Sequence, residues 1–478
     1  MLKNLRLHFI FIFSSGLLQI NYSIATIWLV GPSRTYTMPS QVSTLVLNGD
    51  TIDIDAGIYN SNVARWQANN LLLRGVGGFV HLKSYGLSYG DKAIWVIAGN
   101  NTRVEWIEFS ECTSTSHNGA GIRQEGLNLT VGHCYFHNNE NGILAGTLNP
   151  SKIVIEYTQF AYNGYGDGLS HNLYINNIDT LIFRYNYSHH AHVGHELKSR
   201  ARVNIILYNR ISNEATGDAS REIDLPNGGL AFILGNEIEQ GPNSQNSNII
   251  GFGLEGLSNP APHQLYAVNN TIVNDRSMGS FLSLQSGTSL LKAYNNIFAG
   301  PGTIINGSAT ILDTANNYYS TVLNAGFVNA AAYDYHMLSS SGAVNGGTNP
   351  GFVNSFSLSP VYEYVHTANM SLRITSAQLD IGAHEYGTAT GINFTDPKNS
   401  ELNIYPNPSP DGTFEIASNE KFIGITITDV LGKIVFERNK IEAFILPLKI
   451  NGITGGIYFV IARGEGNTVL RRKIIILK

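Results

Sequence analysis

In a chain where only 14% of residues are Asp, Glu, Lys or Arg, one stretch gathers the side chains that move protons and hold charge. It runs Ser188-His189-His190-Ala191-His192-Val193-Gly194-His195-Glu196-Leu197-Lys198-Ser199-Arg200, and Arg221-Glu222-Ile223-Asp224 follows. A lysine whose pKa is lowered by burial or by neighbouring cations is a base, and arginine neutralises a carboxylate with its planar fork. Lys198 in the first role, Arg200 or Arg221 in the second, and His195 or Tyr174 as proton donor make a set able to break a bond β to a carboxylate. Two other chemistries use the same residues. Glu196 and Glu222 would be the paired carboxylates of a hydrolase, though no Asn-Thr-Asp or Asp-Asp run accompanies them. His190, His192 and His195 would ligate a transition metal. With no chemistry at all, the run is a polar turn and the charges a solvated ladder on an outward face.

What positions these residues is a repeat. Segments 129–136, 153–160, 181–188, 204–211, 231–238, 266–272 and 292–298 align on positions 134, 158, 186, 209, 236, 270 and 296, five of which are Asn. The steps are 24, 28, 23, 27, 34 and 26 residues, and each unit holds short apolar strands, an Asn turn and a Gly-bounded strand. Steps of this size predict an all-β chain wound as a right-handed parallel β-helix; a propeller needs repeats of about 40–50 residues. Asn at the repeated place is expected to adopt the left-handed conformation and to hydrogen-bond along the axis. The composition agrees, with 49 Gly, similarly abundant Asn, and 43% apolar residues to fill a continuous core. A net charge of -5 without a basic run excludes nucleic acid as the main partner.

Successive coils stack equivalent residues about 4.8 Å apart. Counted from the Asn turns, Lys198 lies over Arg221, with Asp167, His195 and Asp218 in a second row. Counted from the apolar alternation, Leu197 matches Ile223, Glu196 faces Glu222 and Lys198 faces Asp224. The second register is preferred, because a one-residue slip buries charge. Both gather Lys198, Arg200, Glu196, Glu222 and Asp224 in one groove, to which the preceding coil adds Asn172 and Tyr174. Asn172, Glu196, Glu222 and Arg202 are the expected substrate contacts. The Pro226-Asn227-Gly228-Gly229 turn is expected only to redirect the chain, and Cys112 and Cys134 to remain free thiols.

The ends have other signatures. A basic start, an apolar run from Leu7 to Leu18 and Ser23-Ile24-Ala25 describe a secretory signal peptide over residues 1–25, too short in its apolar part to span a bilayer. No later segment is long and apolar enough to cross. Leu47-Asn48-Gly49-Asp50-Thr51-Ile52 through Gly57-Ile58-Tyr59 resembles the first coil of pectate-lyase-like β-helix proteins, and Asn349-Pro350-Gly351-Phe352 through Gly382-Ala383-His384-Glu385-Tyr386-Gly387 resembles their closing segment. The expected organisation is a β-helix over 26–320, a closing segment over 321–388 that caps the open coil, a linker over 389–400 and a small C-terminal β-sandwich over 401–478. That last stretch has short alternating strands, an Asp429–Lys433 turn, a Tyr405-Pro406-Asn407-Pro408 opening and a Gly456-Ile457-Tyr458 ending. It resembles the C-terminal sorting domain of the type IX secretion system, which implies that machinery as a partner and an extracellular or outer-membrane-surface location.

A secreted β-helix with a charged groove predicts an extended extracellular polysaccharide as ligand, and a uronate polymer suits the elimination set above. The site is similar to the β-helix lyases that include alginate lyases and chondroitinase B. That resemblance implies a Lys base with an Arg one coil later, falling on Lys198 and Arg221, although Arg221 sits in Arg-Glu-Ile-Asp instead of Arg-His-Gly. It also implies calcium, for which Glu196, Glu222 and Asp224 would supply oxygen ligands. The expected function is a lyase acting as a monomer, with a non-catalytic glycan-binding solenoid and a glycoside hydrolase as alternatives.

Overall fold

The computed structural model describes residues 25–375, 378–387, 402–405, 407, 409, 411–429, 433–450, 452–464 and 469–477. The expected signal peptide (Ala25 aside), the linker 389–400 and the tip of the Asp429–Lys433 turn lie outside them. The chain forms two compact units, residues 1–386 and 387–478.

The first unit is a parallel β-helix of three sheets. One sheet carries Ile178–Arg184, Val203–Leu207, Leu230–Leu234 and Gln264–Val268 on successive coils; a second carries Tyr187–His189, Arg210–Ser212, Glu237–Gln240 and Thr271–Asn274. The third carries Leu173–Ile175, Leu197–Ser199, Ile223–Leu225 and Asn248–Phe252. All these pairings are parallel, and alternate residues point inward, which gives the apolar period-two pattern its use. Phe109, Phe136 and Phe160 occupy one inward row, with stacked rings 4.8 and 5.0 Å apart. At the start, Asp50 accepts bonds from the Thr26 and Leu47 amides and the Trp28 indole. Burial raises its pKa, but those three donors outweigh it and hold the carboxyl below its ordinary value.

Between the first and second sheets the repeated position makes a buried ladder. Asn186, Asn209, Asn236, Asn270 and Asn296 each donate from Nδ2 to the Oδ1 of the next, ending on Asn317, at 2.9–3.1 Å. Each Oδ1 below the first also accepts the backbone N–H of the Asn above, and each Nδ2 reaches a strand carbonyl, as Asn236 does to Ile206. The expected left-handed conformation falls one residue earlier: His133, Tyr157, Tyr185, Tyr208, Asn269, Asn295 and Asn316 have φ of 49–60°. The reason is directional. The left-handed residue turns the chain and points outward, leaving the next side chain aimed at the axis. The outward rings of Trp106, His133, Tyr157, Tyr185 and Tyr208 then stack in a continuous row, 4.6–5.8 Å apart. Cys112 and Cys134 are buried free thiols.

The segment after Ser320 does not cap the last coil, where Ile311 and Leu312 remain exposed. Its strands pair as antiparallel hairpins, which cannot extend a parallel ladder, and it lies along the flank instead. There Phe356 packs on Phe232, the Val361 amide donates to Tyr208 Oη at 3.1 Å, and the Ala383 amide to Thr271 Oγ1 at 3.0 Å. The second unit is antiparallel, with strands Leu402–Tyr405, Thr413–Asp429, Ile434–Lys449, Gly456–Gly464 and Val469–Ile476. Phe414, Ile416, Ile425, Ile427, Val460 and Ile474 fill its core, as in a small β-sandwich.

Replacing Asn236 by Ala strands buried partners on the coils above and below, and is expected to cost about 3 kcal/mol. The exposed Asn118, whose Nδ2 reaches the Ser116 carbonyl in its own turn at 3.2 Å, is expected to cost under about 1 kcal/mol as Ala. Urea denaturation of the two variants checks the difference.

Candidate active site

The third sheet sets the register that matters. Tyr174 lies opposite Lys198, Leu197 opposite Ile223 and Lys198 opposite Asp224. The pairing is that of the apolar alternation. Counting from the Asn turns puts Lys198 on Arg221 and fails, because Leu197 comes 11 residues after Asn186 whereas Ile223 comes 14 after Asn209. Arg221 nonetheless joins the cluster from the turn before its strand.

Asp224 is the centre of that cluster and is fully buried. Arg221 Nη1 donates to its Oδ1 at 3.1 Å, Lys198 Nζ lies 3.3 Å from Oδ2, and His195 Nε2 lies 3.3 Å from Oδ2, outside good hydrogen-bond geometry. Burial raises the pKa of Asp224, but His195, Arg221 and Lys198 together outweigh it and hold the carboxyl below its ordinary value. Burial acts oppositely on His195 and, beside it, on His171, favouring neutral imidazoles. Above Asp224, Lys198 Nζ donates to Glu255 Oε1 at 2.6 Å, and Arg200 Nη2 donates to the other oxygen of Glu255. Arg200 also donates through Nε to Tyr174 Oη at 3.0 Å and through Nη1 to Asn227 Oδ1 at 2.6 Å. With its oxygen accepting from Arg200, Tyr174 keeps its own O–H proton for another acceptor.

Four expected residues are placed elsewhere. Glu196 is buried beneath the groove, where its carboxyl takes bonds from the Ala191 amide, Ser188 Oγ and Asn172 Nδ2. Asn172 is spent on that interior network, so neither residue can meet a substrate. Glu222 is equally buried and accepts from Gln240 at 3.2 Å, and Arg202 pairs with Asp179 at 2.8 Å. Glu196 and Glu222 precede their strands, in turns directed into the polar interior, and the period-two count that placed them in the groove does not extend that far. Glu196 and Glu222 are therefore not available as a hydrolytic pair. Burial pushes the Glu196 carboxyl up to about 8 and that of Glu222 well above its ordinary value, while Asp224 faces two cations and an imidazole. These three acids do not form one donor set, and they do not fit calcium.

Sequence reasoning passed over Glu255, Asn227 and His171. The turn at Pro226-Asn227-Gly228-Gly229 does more than redirect the chain: Asn227 holds Arg200, and the Pro226 carbonyl accepts the Glu255 amide at 3.1 Å. The one available sign was an acid in a Gly-bounded loop, Gly253-Leu254-Glu255-Gly256. Two cavities lie away from the cluster. One of about 360 Å³ is lined by Arg210, Glu237, Tyr333, His336, Tyr364 and His366, and one of about 700 Å³ by residues that include Pro242, Leu323 and Phe327.

Comparison with known proteins bears on both units. Residues 403–477 match the family described as the secretion system C-terminal sorting domain. No curated protein matches the chain. The crystal structure of pectate lyase Pel9A is similar with a TM-score of 0.54 and 13% identity, covering 77% of this chain and 98% of that one. More distant are a pectin methylesterase in complex with hexasaccharide VII (TM-score 0.30, 12% identity, 45% of this chain and 80% of that one) and the A-module of Azotobacter vinelandii mannuronan C-5 epimerase AlgE6 (0.31, 13%, 57% and 91%). The first unit thus has the parallel β-helix fold seen in that pectate lyase, and residues 403–477 match a type IX secretion sorting domain. The chain is a secreted or cell-surface protein, and no helix among the described residues is long and apolar enough to cross a membrane.

A buried acid raised to about 8 binds its proton more tightly folded than unfolded, so its burden on stability is absent below about pH 4.5 and grows as pH rises toward 8. Glu196→Gln, which keeps the neutral shape, is expected to match wild type near pH 4.5 and to exceed it increasingly up to pH 8. Thermal midpoints across that range check the sign.

Proposed function

We propose that the protein is a polysaccharide lyase that cleaves a uronate-containing polymer by β-elimination in the groove of Tyr174, Lys198, Arg200 and Arg221. One observation carries this reading. Glu255 lays its two carboxylate oxygens on Lys198 Nζ and Arg200 Nη2, so these cations are already spaced to hold a carboxylate at the groove surface. Glu255 belongs to a loop and its side chain is 42% exposed, whereas Lys198 beneath it is nearly covered. A uronate carboxylate of the same shape would take its place.

The charge balance favours that exchange. Lys198, Arg200 and Arg221 carry three positive charges against the two of Asp224 and Glu255, and displacing Glu255 leaves an excess for the sugar acid to neutralise. With the carboxylate held, the C5 proton becomes acidic. Arg200 keeps hold of the sugar carboxylate. Lys198, relieved of Glu255, first gives its ammonium proton to solvent and as the neutral amine takes the C5 proton; electrons form the C4–C5 double bond, the C4–O bond breaks, and Tyr174 passes its proton to the leaving oxygen. Arg221 and His195 fix Asp224, which in turn fixes Lys198. No step uses a metal. The shared fold with a pectate lyase and delivery to the cell exterior support a polymeric sugar acid as substrate.

Incubation with alginate, pectate, glucuronan and glycosaminoglycans, followed by ultraviolet absorbance of unsaturated ends, is expected to show product with one of them. Lys198→Ala is expected to lower the rate at least 100-fold. Arg65→Ala, which breaks a surface pair with Glu125, should leave it unchanged. Absence of product with every polymer contradicts the proposal and favours a glycan-binding solenoid. Glu255→Gln is expected to lower KM several-fold, measured in the same assay.

A further inference from the structure

Three coils toward the N-terminus, on the second sheet, His81, Glu108 and His137 project from the neighbouring strands Leu72–Lys83, Ile107–Ser110 and Tyr135–His137. His81 is opposite Glu108 in the ladder, and on the other side Tyr135 is opposite Glu108 with His137 two residues further on, opposite Ser110. The strand spacing thus brings two imidazoles to one carboxylate. Glu108 Oε1 lies 2.9 Å from His137 Nε2 and 3.5 Å from His81 Nε2, and the three atoms lie within 4.8 Å of one another. Ligands about 2.0–2.2 Å from a tetrahedral ion are about 3.3 Å apart, so the group is close to the required span.

The hydrogen bonding points to a cation. His137 Nδ1 lies 2.7 Å from Asn138 Oδ1, and with the amide in that orientation Nδ1 is the donor. In the neutral ring, Nε2 then presents a lone pair to Glu108 Oε1 at 2.9 Å, another lone pair. A cation placed between them would meet both lone pairs. His81 Nε2 faces the same oxygen at 3.5 Å and also Ser110 Oγ at 2.7 Å. One divalent ion satisfies both nitrogens and the carboxylate together, and Asn138 is the outer partner that orients a metal-bound imidazole. The nearby Lys83 is engaged with Glu111 at 3.1 Å. The three side chains are partly exposed, leaving a fourth position open to water.

A second His/Glu group, at His336, Glu363 and His384, differs in kind. His384 is fully buried with one nitrogen on Glu237 and the other 3.4 Å from Glu363, so its two acids already hold a proton-bearing ring and leave no lone pair for a metal. From the first group alone, we propose that His81 Nε2, Glu108 Oε1 and His137 Nε2 form a three-ligand site for a divalent transition metal, Zn²⁺ above all, with a fourth position open.

The test uses the full chain stripped with chelator and titrated with Zn²⁺ in a calorimeter, and with Co²⁺ in a visible spectrometer. One saturable Zn²⁺ equivalent is expected, together with the intense visible bands of four-coordinate Co²⁺ and their loss on adding Zn²⁺. The double substitution His81→Gln, His137→Gln is expected to weaken binding at least 100-fold, and Glu108→Gln at least about tenfold. His336→Ala should leave binding unchanged. Zn²⁺ should raise the thermal midpoint of wild type and not of the double variant. Binding that is unsaturable, equal in the double variant, or accompanied by only weak octahedral Co²⁺ bands overturns the site. So does wild type without any Zn²⁺ effect on its midpoint, a result that needs no variant to fold.

Discussion

The buried asparagine ladder is the constraint on which the rest depends. Each amide in it bonds the coil on either side and a strand carbonyl besides, so a coil that slipped along its neighbour would leave several polar groups unpaired in an apolar interior. The ladder therefore fixes how each coil enters the second sheet. The third sheet obtains its own register from inward Leu and Ile, which allows the intervening turns to differ in length without disturbing either face. Low charge follows from this architecture, because stacked inward rows are uncharged and turns are made by Asn and Gly.

Against that background the cluster around Asp224 is an electrostatic exception. A fully buried carboxylate is costly alone, and it is kept ionised by two cations and a nearby imidazole, which are held in place in return. The same pairing leaves Lys198 and Arg200 directed outward under a single loop acid. Beneath them, Glu196 and Glu222 are a different population of acids, their carboxyl pKa values pushed up by burial, serving as hydrogen-bonding struts of the interior. Residues two apart in sequence, Glu222 and Asp224, are thus shifted in opposite directions, decided by whether burial or the facing cations prevail.

Much of this was legible in the sequence. The period of the Asn positions gave the coil, the apolar alternation gave Lys198 over Asp224, and the opening and ending of residues 402–478 gave the sorting domain. What was not legible shares one cause. Alternation describes residues within a strand, and Glu196, Glu222 and Asn172 lie in turns at strand edges, where side-chain direction depends on turn length. Glu255 comes 57 residues after Lys198 and reaches it only because the loop after Asn248–Phe252 folds back over two coils. The flank position of the closing segment was hidden likewise, since it rests on long-range contacts such as Phe356 with Phe232.

In the proposed reaction Lys198 and Arg200 form a carboxylate seat that Glu255 occupies until substrate arrives. The most direct measurement is a crystal structure of the Tyr174→Phe variant soaked with oligosaccharides of the uronate polymer that wild type cleaves. A sugar carboxylate on Lys198 and Arg200, with Glu255 displaced, is the predicted result. An oligosaccharide bound on another face, or in the groove with Glu255 still in place on both cations, would contradict it.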